Sequence, residues 1–373
     1  MIDLKKYSTF HSPGYVIEIY NDGIEKEIVF GNREIKPKIK ACNKDTLYDI
    51  ASLTKVYTAT LVYIAYEEGK ININDKVESI DPRFSYLGQV TVLDLLSHNQ
   101  DIWTDGYLGN AKSKEEFYDI LFTAYVKTPF PTYVDTHYMI LSTLLETVYQ
   151  KTYDVILKEK ILEPLGLKKT TVNPTGDNIA SNNYETLNGK IVEEITPGLI
   201  HDTKGRIAKR LGITTGHASI FTTGHELLLF LKSFLNHSLL KSETIDLMLQ
   251  HTDRNHENYK ILKDIVSDDD INIMYEKALA INPDLKVMRT YNYMGTRYRN
   301  AIHALNDVPT KCSSQAIVFS GYTGPSFVID FEQKVIVVIM CNVMHNTLLS
   351  RTERKHNTEL IMDEIWNDYI FIK

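Results

Sequence analysis

The tetrapeptide from Ser52 to Lys55 places a hydroxyl and an amine three residues apart. Apolar residues recur at helical spacing from Ser52 to Glu68, and Gly69 stands where a helix C-cap is expected, so the sequence predicts a helix that begins at Ser52. Lys55 then lies one turn along the same face and can reach the hydroxyl, while the helix N-terminus favours negative charge. The pair is a candidate nucleophile and base, provided that burial lowers the pKa of Lys55 to give a neutral amine.

The same spacing occurs a second time, from Ser238 to Lys241. This copy follows the end of a predicted helix and opens no new periodic segment, so we interpret it as chance. On the tetrapeptide alone, the favoured interpretation of the first copy is an N-cap serine and a lysine whose stem packs while its amine reaches water. The surrounding sequence must therefore decide between structure and chemistry.

Predicted strands lie near both ends of the chain. Tyr15 to Tyr20 and Lys26 to Phe30 flank Asn21-Asp22-Gly23, which fits a tight turn with left-handed backbone, so a hairpin is predicted. A final helix is predicted over about residues 352–369. Residues of high β-propensity predict three further strands, at Ala316–Phe319, Ser326–Asp330 and Val335–Cys341.

The middle of the chain is mostly helical in its pattern. A polar, acid-rich stretch from His251 to Asp270 predicts an exposed insertion. Apolar residues three or four apart predict helices over Val92–Ser97, Lys114–Tyr125, Tyr138–Tyr149, Tyr153–Leu162, Thr223–Asn236 and Ser242–Gln250.

These elements predict an α/β (α+β) fold, in which an antiparallel sheet built from both chain ends is flanked by helices and carries an inserted all-helical lobe. We expect residues 1–75 and 181–373 to form the α/β lobe with the nucleophile helix and an edge strand. We expect residues 76–180 to form the helical lobe, which carries the segment with Tyr133, and the two lobes to make one catalytic unit, with boundaries that are approximate.

Several motifs in order resemble those of class C β-lactamase-like and penicillin-binding protein-like serine hydrolases, especially their esterase-like branch. Asn99-Gln100-Asp101 departs from the family's usual turn after "LLxH". The motifs that carry the resemblance are Thr46 to Lys55 with its continuation to Val77, Val90 to His98, Tyr133-Val134-Asp135, Ile161 to Leu167, His201-Asp202, Gly216 to Phe221, and Phe319 to Asp330.

The resemblance implies roles for Tyr133 and Asp135, which match the family's Y-x-N or Y-x-D element. Tyr133 would take or return a proton alongside Lys55, and Asp135 would orient the substrate amide or the lysine. Order and spacing single out Tyr133, because most of the 23 tyrosines in the chain must be packing residues.

Phe319-Ser320-Gly321 stands where the family has a K-T-G or H-T-G triplet on an edge strand. Gly321 would let the strand approach the substrate, and the backbone N–H of Tyr322 would join that of Ser52 in an oxyanion hole. Phe319 replaces the family's cation, so a substrate carboxylate at that place would lose a charge-assisted hydrogen bond. The resemblance thus implies the serine β-lactamase fold and an acyl-enzyme on Ser52, with a small ester or amide as the expected substrate.

Two alternatives stay open. One is a D-amino-acid peptidase or carboxypeptidase, or a weak β-lactamase, which Phe319 disfavours. The other is a non-catalytic ligand-binding relative, against which the presence of Ser52, Lys55 and Tyr133 counts. We interpret His201 and His217 as structural histidines, because no spacing suggests a metal site, and we predict neither metal nor cofactor.

Composition excludes several partners. The net charge of -7 is spread without a basic stripe, which argues against nucleic acid, and the longest apolar runs are far shorter than a membrane span. The N-terminal residues do not resemble a secretory signal, so we expect a cytoplasmic protein, although a secreted mature form stays open. Three cysteines at unrelated spacings predict reduced, structural thiols. The sequence does not set the oligomeric state, and the predicted partner is a small ester, amide or peptide.

Overall fold

A computed structural model describes residues 2–128, 132–182, 184–187, 190–194, 196–250, 291–298, 311–313, 316–345 and 351–370. The predicted insertion at 251–270 lies outside these ranges. The strands are β1 (Gly14–Asn21), β2 (Ile24–Glu34), β3 (Lys40–Ala41), β4 (Tyr48–Asp49), β5 (Asp101–Trp103), β6 (Tyr125–Thr128), β7 (Tyr184–Leu187), β8 (Lys190–Glu194), β9 (Phe221–Thr222), β10 (Arg297–Tyr298), β11 (Ala316–Ser320), β12 (Ser326–Asp330) and β13 (Val335–Cys341).

The main sheet joins the two ends of the chain, as predicted. Its strand order is β10-β11-β12-β13-β1-β2-β3, and β1 pairs antiparallel with β13 so that Tyr15 lies opposite Cys341. The predicted hairpin turn is confirmed, because Asp22 and Gly23 both have positive φ values, of 43° and 97°. Two left-handed residues give the turn the twist that adjacent antiparallel strands need.

The sheet is covered on both faces. Six consecutive residues of β1, from Gly14 to Ile19, are buried, although their side chains alternate between faces. The helix spanning Gly224–Asn236 packs on one face, and a Cβ added at Gly224 would lie 3.3 Å from Val16 and 3.2 Å from Met340. The absence of a side chain at Gly224 therefore permits close packing of helix on sheet.

The helices follow the predicted pattern with small shifts at their ends. The helices are α1 (Leu4–Ser8), α2 (Thr54–Glu67), α3 (Val77–Ile80), α4 (Val92–Leu96), α5 (Lys114–Phe122), α6 (Thr136–Tyr149), α7 (Tyr153–Leu157), α8 (Glu163–Leu165), α9 (Thr203–Arg210), α10 (Gly224–Asn236), α11 (Ser242–Met248) and α12 (Arg351–Ile365). Ser52 lies in a 3₁₀ turn over Ala51–Leu53 that leads directly into α2.

One predicted helix ends three residues earlier than expected. The predicted helix from Lys114 to Tyr125 ends at Phe122, and Tyr125–Thr128 forms strand β6, which pairs with β5. The alternating sequence Tyr-Val-Lys-Thr favours a strand with one face packed, and β6 indeed alternates between exposed and half-buried residues. The lobe predicted to be all-helical therefore includes a short two-stranded ribbon, and the lobe boundaries at 75 and 180 stay a prediction.

The three cysteines are buried and form no disulfide. None of the helices in the described ranges has the length and apolar character needed to cross a bilayer.

Candidate active site

Ser52 sits just after a strained backbone position. Ala51 has a φ of 44°, in the left-handed region that costs a non-glycine residue about 1 kcal/mol or more. The buried carboxylate of Asp49 holds this turn, because Oδ1 accepts from the Ala51 N–H at 2.8 Å and Oδ2 from the His201 N–H at 2.8 Å. Burial raises the pKa of Asp49 to about 6, although both backbone hydrogen bonds act in the opposite direction. The Asp49 contacts thus fix the backbone that presents Ser52.

The Lys55 side chain is 1% exposed and makes three hydrogen bonds to other residues in the described ranges. Its Nζ donates to Ser52 Oγ at 3.1 Å, to Asp135 Oδ1 at 2.9 Å and to the main-chain carbonyl of His217 at 3.2 Å. An ammonium has three N–H donors, so these contacts satisfy it fully. The structure therefore brings the predicted serine, lysine and aspartate into one hydrogen-bonded group.

The expected lowering of the Lys55 pKa is wrong for this arrangement. Burial does act to lower the pKa of Lys55, but the Asp135 carboxylate and the Tyr133 phenol outweigh it and raise the pKa above 10.5. Lys55 is consequently an ammonium at neutral pH. In this state it donates to Ser52 Oγ and cannot by itself accept the proton of the hydroxyl.

Tyr133 lies beside the lysine within an aromatic cluster. Lys55 Nζ is 5.0 Å from the centre of the half-buried Tyr133 ring. That ring packs against His98 at a centroid distance of 4.5 Å and against Tyr291 at 5.6 Å. Contacts on several sides restrict the ring, so the phenol is held close to the ammonium.

A second lysine, which the sequence analysis did not single out, completes the charge arrangement. Lys204, in α9, donates to Asp135 Oδ2 at 2.6 Å, so one carboxylate bridges two ammonium groups. Although burial opposes the effect, Lys55 and Lys204 hold the pKa of Asp135 well below its ordinary range. No local motif around Lys204 indicates this contact, because its partner lies 69 residues away in the chain.

His217 contributes more to the site than its interpretation as a structural histidine suggested. Its carbonyl accepts from Lys55, while its Nε2 lies 2.8 Å from Asp202 Oδ1. Asp202 also caps α9 by accepting from the Gly205 N–H at 2.8 Å. The Asp202–His217 contact therefore ties the start of α9 to the segment that borders Lys55. The buried His201 has its ring 5.5 Å from that of Tyr322.

The turn after β11 docks on the turn that carries Ser52. A Cβ added at Gly321 would lie 2.6 Å from the Ile50 carbonyl oxygen, a distance that real Cβ atoms do not reach. Thr323 Oγ1 donates to the Asp49 carbonyl at 2.7 Å. Gly321 thus allows a close approach of two backbones, where the sequence had suggested an approach to substrate. Tyr322 lies between Gly321 and Thr323, so its main chain is next to the turn that carries Ser52.

Phe319, Ser320 and Tyr322, at and after the end of β11, differ in their exposure to solvent. Phe319 is 3% exposed, pairs across the sheet with Phe327, and has its ring centre 6.4 Å from that of Tyr133. Ser320 is half-buried opposite Ser326, and the Tyr322 side chain is 44% exposed. Phe319 therefore places an apolar ring next to the tyrosine, with no charge to offer a substrate.

A pocket of about 560 Å³ opens beside this group. Its lining residues belong to the segments 102–108 and 133–136, together with Lys204. Among the described residues, none of β11 lines the pocket, so it lies on the side of the site formed by Tyr133 and Asp135. The pocket joins an apolar wall to the charged centre.

Asp135, Asp202 and His217 offer three potential ligand atoms within 4.8 Å of one another. Both Asp135 oxygens accept from ammonium groups, and Asp202 is bonded to His217. Two lysines in contact with the same carboxylate oppose a further cation by charge repulsion. The three side chains are therefore best explained by their protein partners.

Known proteins share sequence and fold with this chain. The profile of a family described as Beta-lactamase matches residues 8–359. A putative D-alanyl-D-alanine carboxypeptidase of Salmonella typhimurium is 28% identical over 229 residues, covering 52% of this chain and 51% of that protein. The chain thus spans about half the length of the curated relatives it matches.

Solved structures extend the likeness to the whole fold. EstCE1, described as a hydrolase with promiscuous acyltransferase activity, superposes with a TM-score of 0.69 at 17% identity, covering 96% of each chain. A class C β-lactamase from Rhodobacter sphaeroides gives a TM-score of 0.65 at 15% identity, covering 97% of this chain and 98% of its own. At these identities the likeness concerns the fold.

Proposed function

The chain belongs to the Beta-lactamase family of serine hydrolases, and on this basis we propose that it hydrolyses small esters or amides through an acyl-enzyme on Ser52. The observation that carries the proposal is the contact of 3.1 Å between Ser52 Oγ and a fully buried Lys55 that is itself held by Asp135. Burying a charged lysine raises the free energy of the folded state unless a carboxylate or other hydrogen-bonding partner compensates it, so its retention beside Ser52 favours a role in the reaction.

In the proposed reaction, Ser52 is the nucleophile and Lys55 and Tyr133 move its proton. Ser52 Oγ attacks the substrate carbonyl carbon to form a tetrahedral intermediate, and its proton passes to the Lys55–Tyr133 couple, which acts as the base in the form in which one of its two groups has already lost a proton. We assign the transfer to the couple because the raised pKa of Lys55 leaves the lysine protonated at rest. The oxyanion is placed at the main-chain N–H groups of Ser52 and Tyr322. The leaving group departs with a returned proton, and water then hydrolyses the acyl-enzyme.

Phe319 favours a neutral ester or amide at the β11 side of the site. Its buried ring supplies no hydrogen-bond donor for a carboxylate in the position next to Tyr133. A D-amino-acid peptidase or carboxypeptidase is the second candidate, supported by the name of the Salmonella relative. The contact of Lys55 with both Ser52 and Tyr133 counts against a protein that binds ligand without turnover.

Steady-state assays with short-chain 4-nitrophenyl esters and with nitrocefin test the proposal. We expect ester hydrolysis that is abolished in Ser52→Ala and unchanged in Ser238→Ala, which alters the second copy of the same spacing. Faster turnover of nitrocefin than of any ester would favour the lactamase or peptidase alternative. Hydrolysis that survives in Ser52→Ala would remove the proposed nucleophile.

A further inference from the structure

Among the described residues that line it, the pocket beside Tyr133 combines aromatic walls with one cation, Lys204. Trp103, Tyr107 and Tyr133 supply three aromatic side chains, and Ile102 and Leu108 add aliphatic surface. Trp103 and Tyr107 are 47% and 52% exposed, so they stand at the mouth and can contact an entering molecule. Such walls suit the hydrocarbon part of an acyl group of moderate size.

Lys204 has hydrogen-bonding capacity that faces this pocket. Within the described ranges, Asp135 Oδ2 is its hydrogen-bond acceptor, which leaves two of the three ammonium N–H groups available. Its side chain is 23% exposed and lines the cavity. Although burial acts in the other direction, the charges of Asp135 and Asp202 raise the pKa of Lys204, so the group is charged at neutral pH.

The acidic side chains near the pocket do not compete for the free N–H groups. Asp135 already accepts from both lysines, and Asp202 is engaged by His217 and the Gly205 N–H. Asp105 lies at the exposed rim, where solvent screens its charge. The cation that the pocket presents at its inner end is therefore Lys204.

Lys204 also stands a short way from the reacting atoms. Its partner Asp135 is the carboxylate that holds Lys55, and Lys55 contacts Ser52 Oγ. Contacts of 3.1 Å, 2.9 Å and 2.6 Å link Ser52 Oγ through Lys55 and Asp135 to Lys204 Nζ, so the nucleophile and the pocket's ammonium belong to one hydrogen-bonded group. Phe319 leaves the β11 side of the site without a comparable charge.

We propose that Lys204 is a specificity-determining residue, which binds a terminal carboxylate on the acyl group of the substrate while the aromatic walls of the pocket hold its hydrocarbon chain. The inference rests on the proposed function for the identity of the acyl group. It names the substrate class as esters or amides of dicarboxylic acids. Charge-assisted hydrogen bonds to a partly desolvated ammonium provide the discrimination.

A matched pair of substrates tests this specificity. We compare kcat/KM for the 4-nitrophenyl monoester of adipic acid with that for 4-nitrophenyl hexanoate, which has the same chain length and no carboxylate. Lys204 also contacts Asp135, so its loss affects both substrates, and the informative quantity is the ratio of the two values. We expect Lys204→Met to lower this ratio at least tenfold and Lys204→Arg to retain most of it.

The control is Lys209→Met, which removes a positive charge from the same helix outside the pocket lining. It should leave the ratio unchanged. Circular dichroism and thermal unfolding of each variant establish that it is folded. A ratio that is equal in wild type and Lys204→Met would overturn the inference.

A binding measurement separates this inference from the proposed function. In the Ser52→Ala background, calorimetry should show adipate binding more tightly than hexanoate, and the preference should disappear when Lys204→Met is added. Equal binding of the two acids in Ser52→Ala would overturn the role of Lys204. Preferential binding of adipate together with an absence of ester hydrolysis by the wild type would instead refute the proposed function and retain the carboxylate site.

Discussion

Replacing Asp135 by Asn removes the one carboxylate that two lysines share. The Asn oxygen can accept from one ammonium, but its NH₂ group then faces the other. Lys55 would keep Ser52 Oγ and the His217 carbonyl as partners while losing its counter-charge. We therefore expect Asp135→Asn to lower the free energy of unfolding substantially, although the side chain keeps its shape.

The distances set the size of the effect. At 2.9 Å and an effective dielectric constant of about 20, the Lys55–Asp135 attraction amounts to about 6 kcal/mol. Part of this offsets the desolvation of the two groups, and breaking a buried pair by removing one partner costs about 3–5 kcal/mol. Urea denaturation at pH 7, followed by circular dichroism, should show a loss in that range.

The loss of unfolding free energy in Asp135→Asn should depend on pH. In the wild type the lowered pKa of Asp135 contributes stability that is full above pH 3.8 and is lost as the pH falls below it. The raised pKa values of Lys55 and Lys204 contribute stability that is full below pH 10.5 and is lost as the pH rises above it. In Asp135→Asn, burial dominates and lowers the pKa of Lys55, so the variant gains stability as pH rises toward 10.5. The deficit should accordingly be smaller by about 1 kcal/mol or more at pH 9.5 than at pH 7.

Asp45→Asn serves as the matched control. The Lys169–Asp45 contact is 2.6 Å long, but both side chains are 49% exposed. Its loss should cost less than about 1 kcal/mol. A deficit for Asp135→Asn that is as small as that of the control, or that does not change with pH, would refute the reasoning.

Three further predictions concern the residues around Ser52. Tyr133→Phe keeps the ring contacts with His98 and Tyr291 and removes the phenolic hydroxyl, so kcat for ester hydrolysis should fall by about 10²–10⁴ with little change in thermal stability. An unchanged kcat would exclude Tyr133 from proton transfer. Gly321→Ala would force a Cβ to 2.6 Å from the Ile50 carbonyl, and we expect a loss of about 1–3 kcal/mol in urea unfolding together with at least tenfold lower kcat/KM. Thr323→Val should cost about 1 kcal/mol in the same assay through its lost bond to Asp49; full stability would contradict the structural role of that contact.

The elements that the sequence predicts well are those with local causes. The first hairpin follows from left-handed residues at Asp22 and Gly23, and α2 follows from apolar periodicity with a glycine after its end. The strands near the C-terminus differ from their predicted bounds by at most one residue, because β-branched and aromatic side chains together dominate them. The error at Tyr125 arose because a helical pattern ran into a strand without a glycine or proline between them.

The electrostatics of the site could not be predicted in the same way. The tetrapeptide from Ser52 to Lys55 is local, and the structure brings its two end residues together. The direction of the Lys55 pKa depends on Asp135, 80 residues away, and the contact of Asp135 with Lys204 spans another 69. Long-range contacts of this kind depend on how helices pack, which a single sequence does not specify.

Covalent labelling tests the central claim most directly. Wild type, Ser52→Ala and Ser238→Ala are exposed to a fluorophosphonate and, separately, to a penicillin, and their intact masses are measured. We predict one fluorophosphonate adduct in the wild type and in Ser238→Ala, none in Ser52→Ala, and no stable penicillin adduct. An equal adduct in Ser52→Ala, or no fluorophosphonate adduct in the wild type, would contradict the assignment of Ser52 as the nucleophile.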